Sequence, residues 1–180
     1  MIRRRVLRGV LAIAAGLLLS GHTPYRQWVV YRKKHLLIGC HKADPETYDL
    51  AKRAVALLEE HLPAARARVA RAPDARRLAS LLGTGQMEVA MLDAADAEGM
   101  LQGTGPFAPY GPVSLRLLVR LGGRLLVCRA DFPERHAWLV TGALAGTELA
   151  DLGTPTTDSA VPWHPGSRAF LDGRPEPEDG

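Results

Sequence analysis

The chain has 180 residues, 47% of them apolar, which is long enough for one sizeable hydrophobic core. Its net charge of +4 is unevenly distributed, because residues 1–35 hold eight Lys and Arg and no Asp or Glu. The rest carries 15 basic and 19 acidic side chains without an interleaved basic and aromatic stripe, which argues against a nucleic-acid partner.

The N-terminus has the pattern of an export or anchoring segment. A basic stretch from Arg3 to Arg8 precedes an apolar stretch from Gly9 to Ser20, which is short for a membrane-spanning helix and suits a signal peptide. No A-x-A cleavage motif lies near Ser20, so the alternative of an uncleaved anchor stays open. We expect a periplasmic protein, either soluble after cleavage of residues 1–21 or anchored to the inner membrane by residues 6–21.

A connector at residues 22–34 combines Trp28 and Tyr31 with basic side chains. This composition is typical either of a segment at a membrane interface or of a solvated segment that precedes the first strand. Residues 35–171 are expected to form one lobe. The tail 172–180 contains GRPEPEDG, has no residue that would join a core, and is expected to be disordered.

Strand and helix patterns alternate within the lobe. Caps at Asp44, Asp74 and Asp93, together with apolar periodicity, predict strands at 36–39, 67–70 and 89–92 and helices at 45–61, 75–82 and 94–101. A GTGPFA loop follows at 103–108. Two apolar runs at 113–121 and 124–129 are then joined by Gly122-Gly123, which predicts a β-hairpin. Asp131 is the predicted cap of a further helix, which begins at Pro133.

The order helix, glycine stop, buried strand, helix and GTGPFA loop resembles the first lobe of the TRAP-associated TAXI family of periplasmic solute-binding proteins. The segment LLVCRADFPERHAWLVTGALAG resembles that family's late strand and helix, and VPWHPGS resembles its closing segment. The resemblance implies an α/β fold: a single lobe of a type II periplasmic-binding-protein fold, with a mainly parallel sheet, helices on both faces and an N-terminal apolar helix. The second lobe would be missing at Gly122-Gly123.

Ligands of parallel sheets bind at the carboxyl ends of the strands. Together with the resemblance, this gives seven candidate ligand-binding residues: Gly39, His41, Lys42, Thr47, Tyr48, Asp93 and Thr104. The alternative is that these are ordinary surface, cap and turn residues. Asp44 and Glu46 depart from the glycine-, serine- and threonine-rich first loop of the family and disfavour an anion.

Motifs of catalysis are missing from the sequence. The six His show no zinc-ligand spacing, and no G-x-S-x-G, P-loop or dinucleotide-binding motif occurs. We therefore expect a protein without enzymatic activity, metal or cofactor. Cys40 and Cys128 are interpreted as buried free thiols, with a disulfide as the alternative that export would permit.

The expected function is that of a TAXI-like solute-binding protein of reduced size. It would bind a small solute, an anion being one option, and act with the membrane subunits of a TRAP-type transporter. The alternative is a membrane-tethered interaction or sensor module that has lost solute capture. A single lobe would leave one face uncovered, which predicts a homodimer or another stable partner.

Overall fold

A computed structural model of the protein describes residues 34–151 and 160–178. Five strands and five helices occur in these ranges: β1 Leu37–His41, α1 Pro45–His61, β2 Arg68–Ala72, α2 Ala75–Gly83, β3 Val89–Leu92, α3 Ala94–Gln102, β4 Leu115–Leu121, β5 Arg124–Arg129, α4 Glu134–Ala145 and α5 Pro165–Leu171. Short 3₁₀ turns lie at Pro63–Ala65 and Gly105–Tyr110. The predicted export segment and residues 22–33 of the connector lie outside the described residues.

The strands form one mixed sheet in the order β2-β1-β3-β5-β4. β1 pairs in parallel with both β2 and β3, whereas β5 is antiparallel to β3 and to β4. β4 therefore runs in the same direction as β1, β2 and β3. The sequence predicted a mainly parallel sheet. The difference arises because the returning strand of the hairpin, β5, inserts between β3 and β4.

Helices cover both faces of the sheet. α1 and α4 pack on one face through a cluster that contains Leu58, Leu118 and Leu144. α2 and α3 pack on the other face through a cluster that contains Leu78 and Met100. β3 is buried along its whole length between these layers, as expected for the central strand of such a sheet. The described residues therefore form one α/β lobe.

Most predicted element boundaries are confirmed within two residues. α1 has the predicted bounds, because Asp44 caps its start and Pro63 follows its end. β1 and β2 both extend two residues beyond their predicted ends, where Cys40 pairs with Arg71 and His41 with Ala72.

The predicted cap of α4 is wrong. Asp131 does not cap the helix, because its carboxylate forms a bidentate pair with the Arg129 guanidinium, at 2.7 and 2.8 Å. The N-cap position belongs to Pro133, which has no capping side chain.

The predicted hairpin is confirmed. Gly122 and Gly123 join β4 to β5 with φ angles of +51° and +78°, which glycine accepts readily. The turn lies at the end of β4, and therefore at the same edge of the sheet as the carboxyl ends of β1, β2 and β3. A chain segment inserted at this turn would leave the lobe at the end of the edge strand β4 and return at the start of the adjacent strand β5.

Cys40 and Cys128 are both buried and free. They lie on β1 and β5, which are separated by β3. Two strand spacings of about 4.8 Å keep their Cα atoms too far apart for a disulfide. Burial raises the pKa of the Cys40 thiol to about 11, and burial raises the pKa of the Cys128 thiol as well. The interpretation as buried thiols is confirmed.

The first part of the tail lies against the helices, although the sequence predicted disorder for residues 172–180. The Trp138 indole donates a hydrogen bond to the carbonyl oxygen of Arg174 at 3.1 Å. Within 34–151 and 160–178, no helix has both the length and the apolar character that crossing a membrane requires.

Candidate functional site

The candidate site is the sheet edge where β1, β2, β3 and β4 end. The connections that leave this edge are the loop from His41 to Asp44, the start of α2, the start of α3 and the Gly122-Gly123 turn. Three helix N-termini therefore meet at one edge, which is where parallel sheets commonly bind ligands. We refer to this region as the carboxyl edge.

Each of the three helix N-termini is capped by an aspartate side chain. The carboxylates of Asp44, Asp74 and Asp93 accept hydrogen bonds from backbone N–H groups of the first helical turn, at 3.0, 2.8 and 2.7 Å. An anionic ligand at a helix N-terminus would use these N–H groups. Here the N–H groups are already engaged, and the capping carboxylates add repulsion to an anion.

A buried threonine connects the first loop to the hairpin. The Thr47 hydroxyl, on the first turn of α1, donates to the Asp44 carboxylate and accepts a hydrogen bond from Nε of Arg124 at 2.9 Å. The Arg124 guanidinium also contacts the carboxylates of Asp44 at 3.2 Å and Glu46 at 3.3 Å. The arginine best placed to attract an anion is therefore neutralised by neighbouring acids.

Asp44 is held in its charged form by this network. Burial acts to raise the pKa of its carboxyl group. The hydrogen bonds from the side chain and backbone of Thr47, together with the positive charge of Arg124, outweigh burial and leave the pKa below its usual value. Asp44 is thus an anchored partner of Arg124 at neutral pH.

A second polar pair lies between β1 and α3. His41 is 7% exposed, and its Nε2 atom lies 3.4 Å from the Asp96 carboxylate. Its Nδ1 atom has no hydrogen-bond partner among the described residues. Burial and the neighbouring Asp93 raise the pKa of Asp96, although His41 acts in the opposite direction. This pair ties the end of β1 to the start of α3.

An open groove of about 360 Å³ lies beside the hairpin at the carboxyl edge. Its walls come from the start of α1, the turn and the segment after α4: Glu46, Asp49, Leu50, Arg53, Gly122, Arg124, Glu148 and Leu149. Arg53 and Glu148 pair across it at 3.2 Å. The groove is therefore polar and partly closed by its own ion pair. A larger cavity of about 480 Å³ lies elsewhere, between α4, α5 and the tail.

No protein-family model and no curated protein matches the sequence.

The structure brings five of the seven predicted site residues to the carboxyl edge. At this edge His41 pairs with Asp96, and the buried Thr47 hydroxyl contacts Arg124. Asp93 caps α3 there. Lys42 is exposed in the first loop. Tyr48 is half-buried, and the cations of Lys52 and Arg71 lie over its ring, 4.7 and 4.1 Å from the ring centre.

The other two predicted residues are not part of this arrangement. Gly39 lies in the middle of β1, where an added Cβ would overlap the sulfur of Met87 and lie 2.9 Å from Leu78, so it serves close packing of α2. Thr104 is exposed beyond the end of α3, in the segment that leads to the start of β4. It therefore lies at the opposite edge of the sheet.

The most connected residue of the site was missed by sequence reasoning. Arg124 is separated from Thr47 by 77 positions, so no local pattern links them. Its position directly after the hairpin glycines is the one available signal, because the hairpin brings the start of β5 to the carboxyl edge. Asp96 and Arg53 were also missed, since each looks like an ordinary charge on a helix surface.

The prediction that a homodimer or another stable partner covers an apolar face stays a prediction, and few large hydrophobic side chains are highly exposed on the described surface. Tyr110, which is 45% exposed, is the one large hydrophobic side chain there with high exposure, and it lies at the opposite edge from the hairpin. The carboxyl edge itself is charged. Within the described ranges, no group of three or more His, Cys, Asp and Glu side chains is arranged to hold a metal ion.

Proposed function

We propose that the chain is an exported, single-lobe relative of the TAXI solute-binding proteins that serves a TRAP-type transport system. The observation that carries this proposal is the position of β5 between β3 and β4, with the Gly122-Gly123 turn at the carboxyl edge. A second lobe inserted at that turn would lie over the candidate site. The resemblance of the GTGPFA and VPWHPGS segments to the family supports the same assignment.

The proposed solute carries no net negative charge. A small anion at the carboxyl edge would meet the carboxylates of Asp44, Glu46 and Asp93, while Arg124 is already paired. A cationic or neutral polar solute would meet acids and hydroxyl groups instead. Because one lobe leaves such a solute exposed to water on one side, the proposed affinity is weak unless a partner supplies the second wall.

A second candidate function is a membrane-tethered interaction or sensor module that has lost solute capture. It is favoured by the ion pair between Arg53 and Glu148, which spans the groove, and by the engagement of all three helix N-termini by aspartates. On this alternative the charged carboxyl edge would contact transport subunits or a sensor partner rather than a solute.

Isothermal titration calorimetry of the intact protein separates the two functions. Solute binding predicts a heat of binding with arginine, putrescine or a neutral amino acid and no heat with dicarboxylates. The heat of binding should be lost in Glu46→Gln. A matched control is Glu98→Gln, on the exposed surface of α3 away from the groove. Absence of heat with every solute, while circular dichroism shows an intact fold, would favour the interaction module. Tight dicarboxylate binding would contradict the proposed solute class.

A further inference from the structure

The tail lies on the surface formed by α4 and α5 through specific polar contacts. The Trp138 indole N–H donates to the Arg174 carbonyl oxygen, and Nε of Arg135 lies 2.5 Å from the Glu176 carboxylate. The Arg174 N–H in turn donates to the carbonyl oxygen of Ala169 at 2.9 Å. These contacts hold the backbone and a side chain of the tail on two helices.

Trp138 is positioned for this role by the packing of the two helices. Its ring packs edge-on against Phe170 of α5, with ring centres 5.2 Å apart and planes at 80°. Phe170 can approach because position 142 is glycine, where an added Cβ would lie 2.9 Å from the Phe170 ring. The aromatic pair therefore forms a rigid platform with the indole N–H directed at the tail.

The chemistry of this surface suits an extended segment that contains prolines. The tail sequence Arg174-Pro-Glu-Pro-Glu places prolines at 175 and 177. Proline has no N–H and favours the extended polyproline conformation, so its neighbouring carbonyl oxygens are free to accept from an aromatic N–H donor. Arg135 adds a charge-assisted contact that selects an acidic residue within the segment.

The tail leaves part of the surface unfilled. The cavity of about 480 Å³ is bounded by Glu134, Pro165, Arg168 and Ala169 on the helices, and by residues 174–177 on the tail. Glu134 begins α4, which follows the end of β5, so the cavity lies at the opposite end of the lobe from the hairpin. This surface is therefore separate from the candidate solute site.

We propose that the groove between α4 and α5 recognises an extended, acidic, proline-containing segment of a partner protein. The chain's own residues 173–178 occupy this groove in cis, and the partner segment has the same chemistry. Trp138 and Arg135 are the specificity residues. Because a tethered tail has a high effective concentration at its own groove, a partner segment binds well only when the tail is released.

The test uses a fluorescein-labelled peptide with the sequence of residues 173–180 and measures its fluorescence anisotropy. A variant that ends at residue 172 should bind the peptide saturably, and the full chain should bind it at least tenfold more weakly. Arg135→Glu in the shortened variant should weaken binding at least tenfold, as should Glu176→Lys in the peptide. Combining the two changes should restore part of the affinity. Arg77→Glu, an exposed arginine on α2, is the matched control and should leave binding unchanged.

A second variant covers the case in which the shortened chain does not fold. The full chain with Pro175→Gly, Glu176→Lys and Pro177→Gly keeps its length but loses the Arg135–Glu176 ion pair and both prolines of the tail. Its own tail should therefore compete less well for the groove, and the variant should bind the peptide more tightly than the unmodified chain does. The proposal is overturned if neither folded variant binds the peptide saturably. It is also overturned if Arg135→Glu and Arg77→Glu have the same effect.

Discussion

Thr47 links two parts of the candidate site through one buried hydroxyl group. The hydroxyl donates to Asp44 and accepts from Arg124 at 2.9 Å, while the residue has no exposed surface. Its replacement by valine keeps the shape but removes both contacts, and it leaves two charged groups short of a partner. Thr47→Val should therefore lower the free energy of unfolding by about 1–3 kcal/mol.

Urea denaturation of the variant measures this loss. Thr104→Val is the matched control, because Thr104 is exposed and its side chain makes no capping hydrogen bond. The control should remain within about 0.5 kcal/mol of the unmodified protein. Equal losses in the two variants would show that the hydroxyl network contributes nothing to stability.

The surroundings of His164 predict that the stability of the lobe depends on pH. It is 1% exposed, its Nε2 atom lies 2.9 Å from the Phe132 carbonyl oxygen, and its Nδ1 atom accepts from the Gly166 N–H. Nε2 therefore carries the proton of the neutral ring. Protonation of Nδ1 would replace its hydrogen bond from the Gly166 N–H by repulsion between two N–H groups. Burial lowers the pKa of His164, although the hydrogen bond to Phe132 opposes this shift.

The lowered pKa fixes the direction of the pH effect. The unfolded chain takes up this proton near its ordinary pKa of 6.5, whereas the folded chain does so only at lower pH. The stability that the neutral His164 contributes is therefore fully present above pH 6.5. It is lost as the pH falls toward the pKa of His164 in the folded chain. Between the two values the free energy of unfolding should fall by about 1.4 kcal/mol per pH unit from this group alone.

Denaturation between pH 7.5 and 5.5 tests this expectation. His164→Asn keeps a capping side chain without a titrating group, so the variant should lose less stability over this range than the unmodified protein. His61→Asn, at an exposed position on α1, should retain the pH dependence of the unmodified protein. A His164→Asn variant with an unchanged pH dependence would contradict the assigned role of His164.

At the level of elements, the β4–β5 hairpin depends on two glycines with positive φ. An alanine side chain disfavours this conformation by about 1–2 kcal/mol per residue. At position 122 it would also lie 3.3 Å from Leu50. Gly122→Ala combined with Gly123→Ala should therefore lower the thermal midpoint of unfolding markedly. Gly146→Ala is the control, because Gly146 has a φ of −84° and open space around its Cα, so it should tolerate the change.

The sequence predicts the local elements well because their signals are local. α1 combines an aspartate cap, an early proline and a terminating proline, and β3 is a short apolar run that ends at a capping aspartate. The predicted cap of α4 is wrong for a reason that is also local. Arg129, two residues before Asp131, is a bidentate charged partner for the Asp131 carboxylate. Charged pairing of this kind outweighs a single backbone N–H.

The candidate site is harder to predict because its contacts are not local. His41, Thr47 and Asp93 are found from the rule that parallel strands gather ligand residues at their carboxyl ends. Arg124 requires knowledge of where β5 lies in the sheet, and neither periodicity nor spacing supplies that order. The distance of Thr104 from the carboxyl edge could not be predicted for the same reason, since α3 carries the chain across the sheet to the opposite edge.

At the level of the whole molecule, the proposed function requires export. A periplasmic reporter such as alkaline phosphatase, fused after Lys34, should be active because the basic residues of the N-terminus precede its apolar stretch. If the segment is an anchor, the protein should remain with membranes in high salt. Activity of a cytoplasmic reporter alone at the same fusion site would defeat the export proposal.

The insertion of β5 beside β3 sets an order on folding. β3 lies next to β1 on one side, but its other edge stays open until β5 has been synthesised. The β4–β5 hairpin forms from neighbouring residues and is therefore fast, whereas its docking on β3 closes a longer loop and is slow. A chain that stops after residue 121 leaves the apolar edge of β3 unpaired, which is a template for edge-to-edge association. Such a truncated chain should scatter light at concentrations where the full chain stays clear, because the open edge of β3 can pair with strands of other molecules.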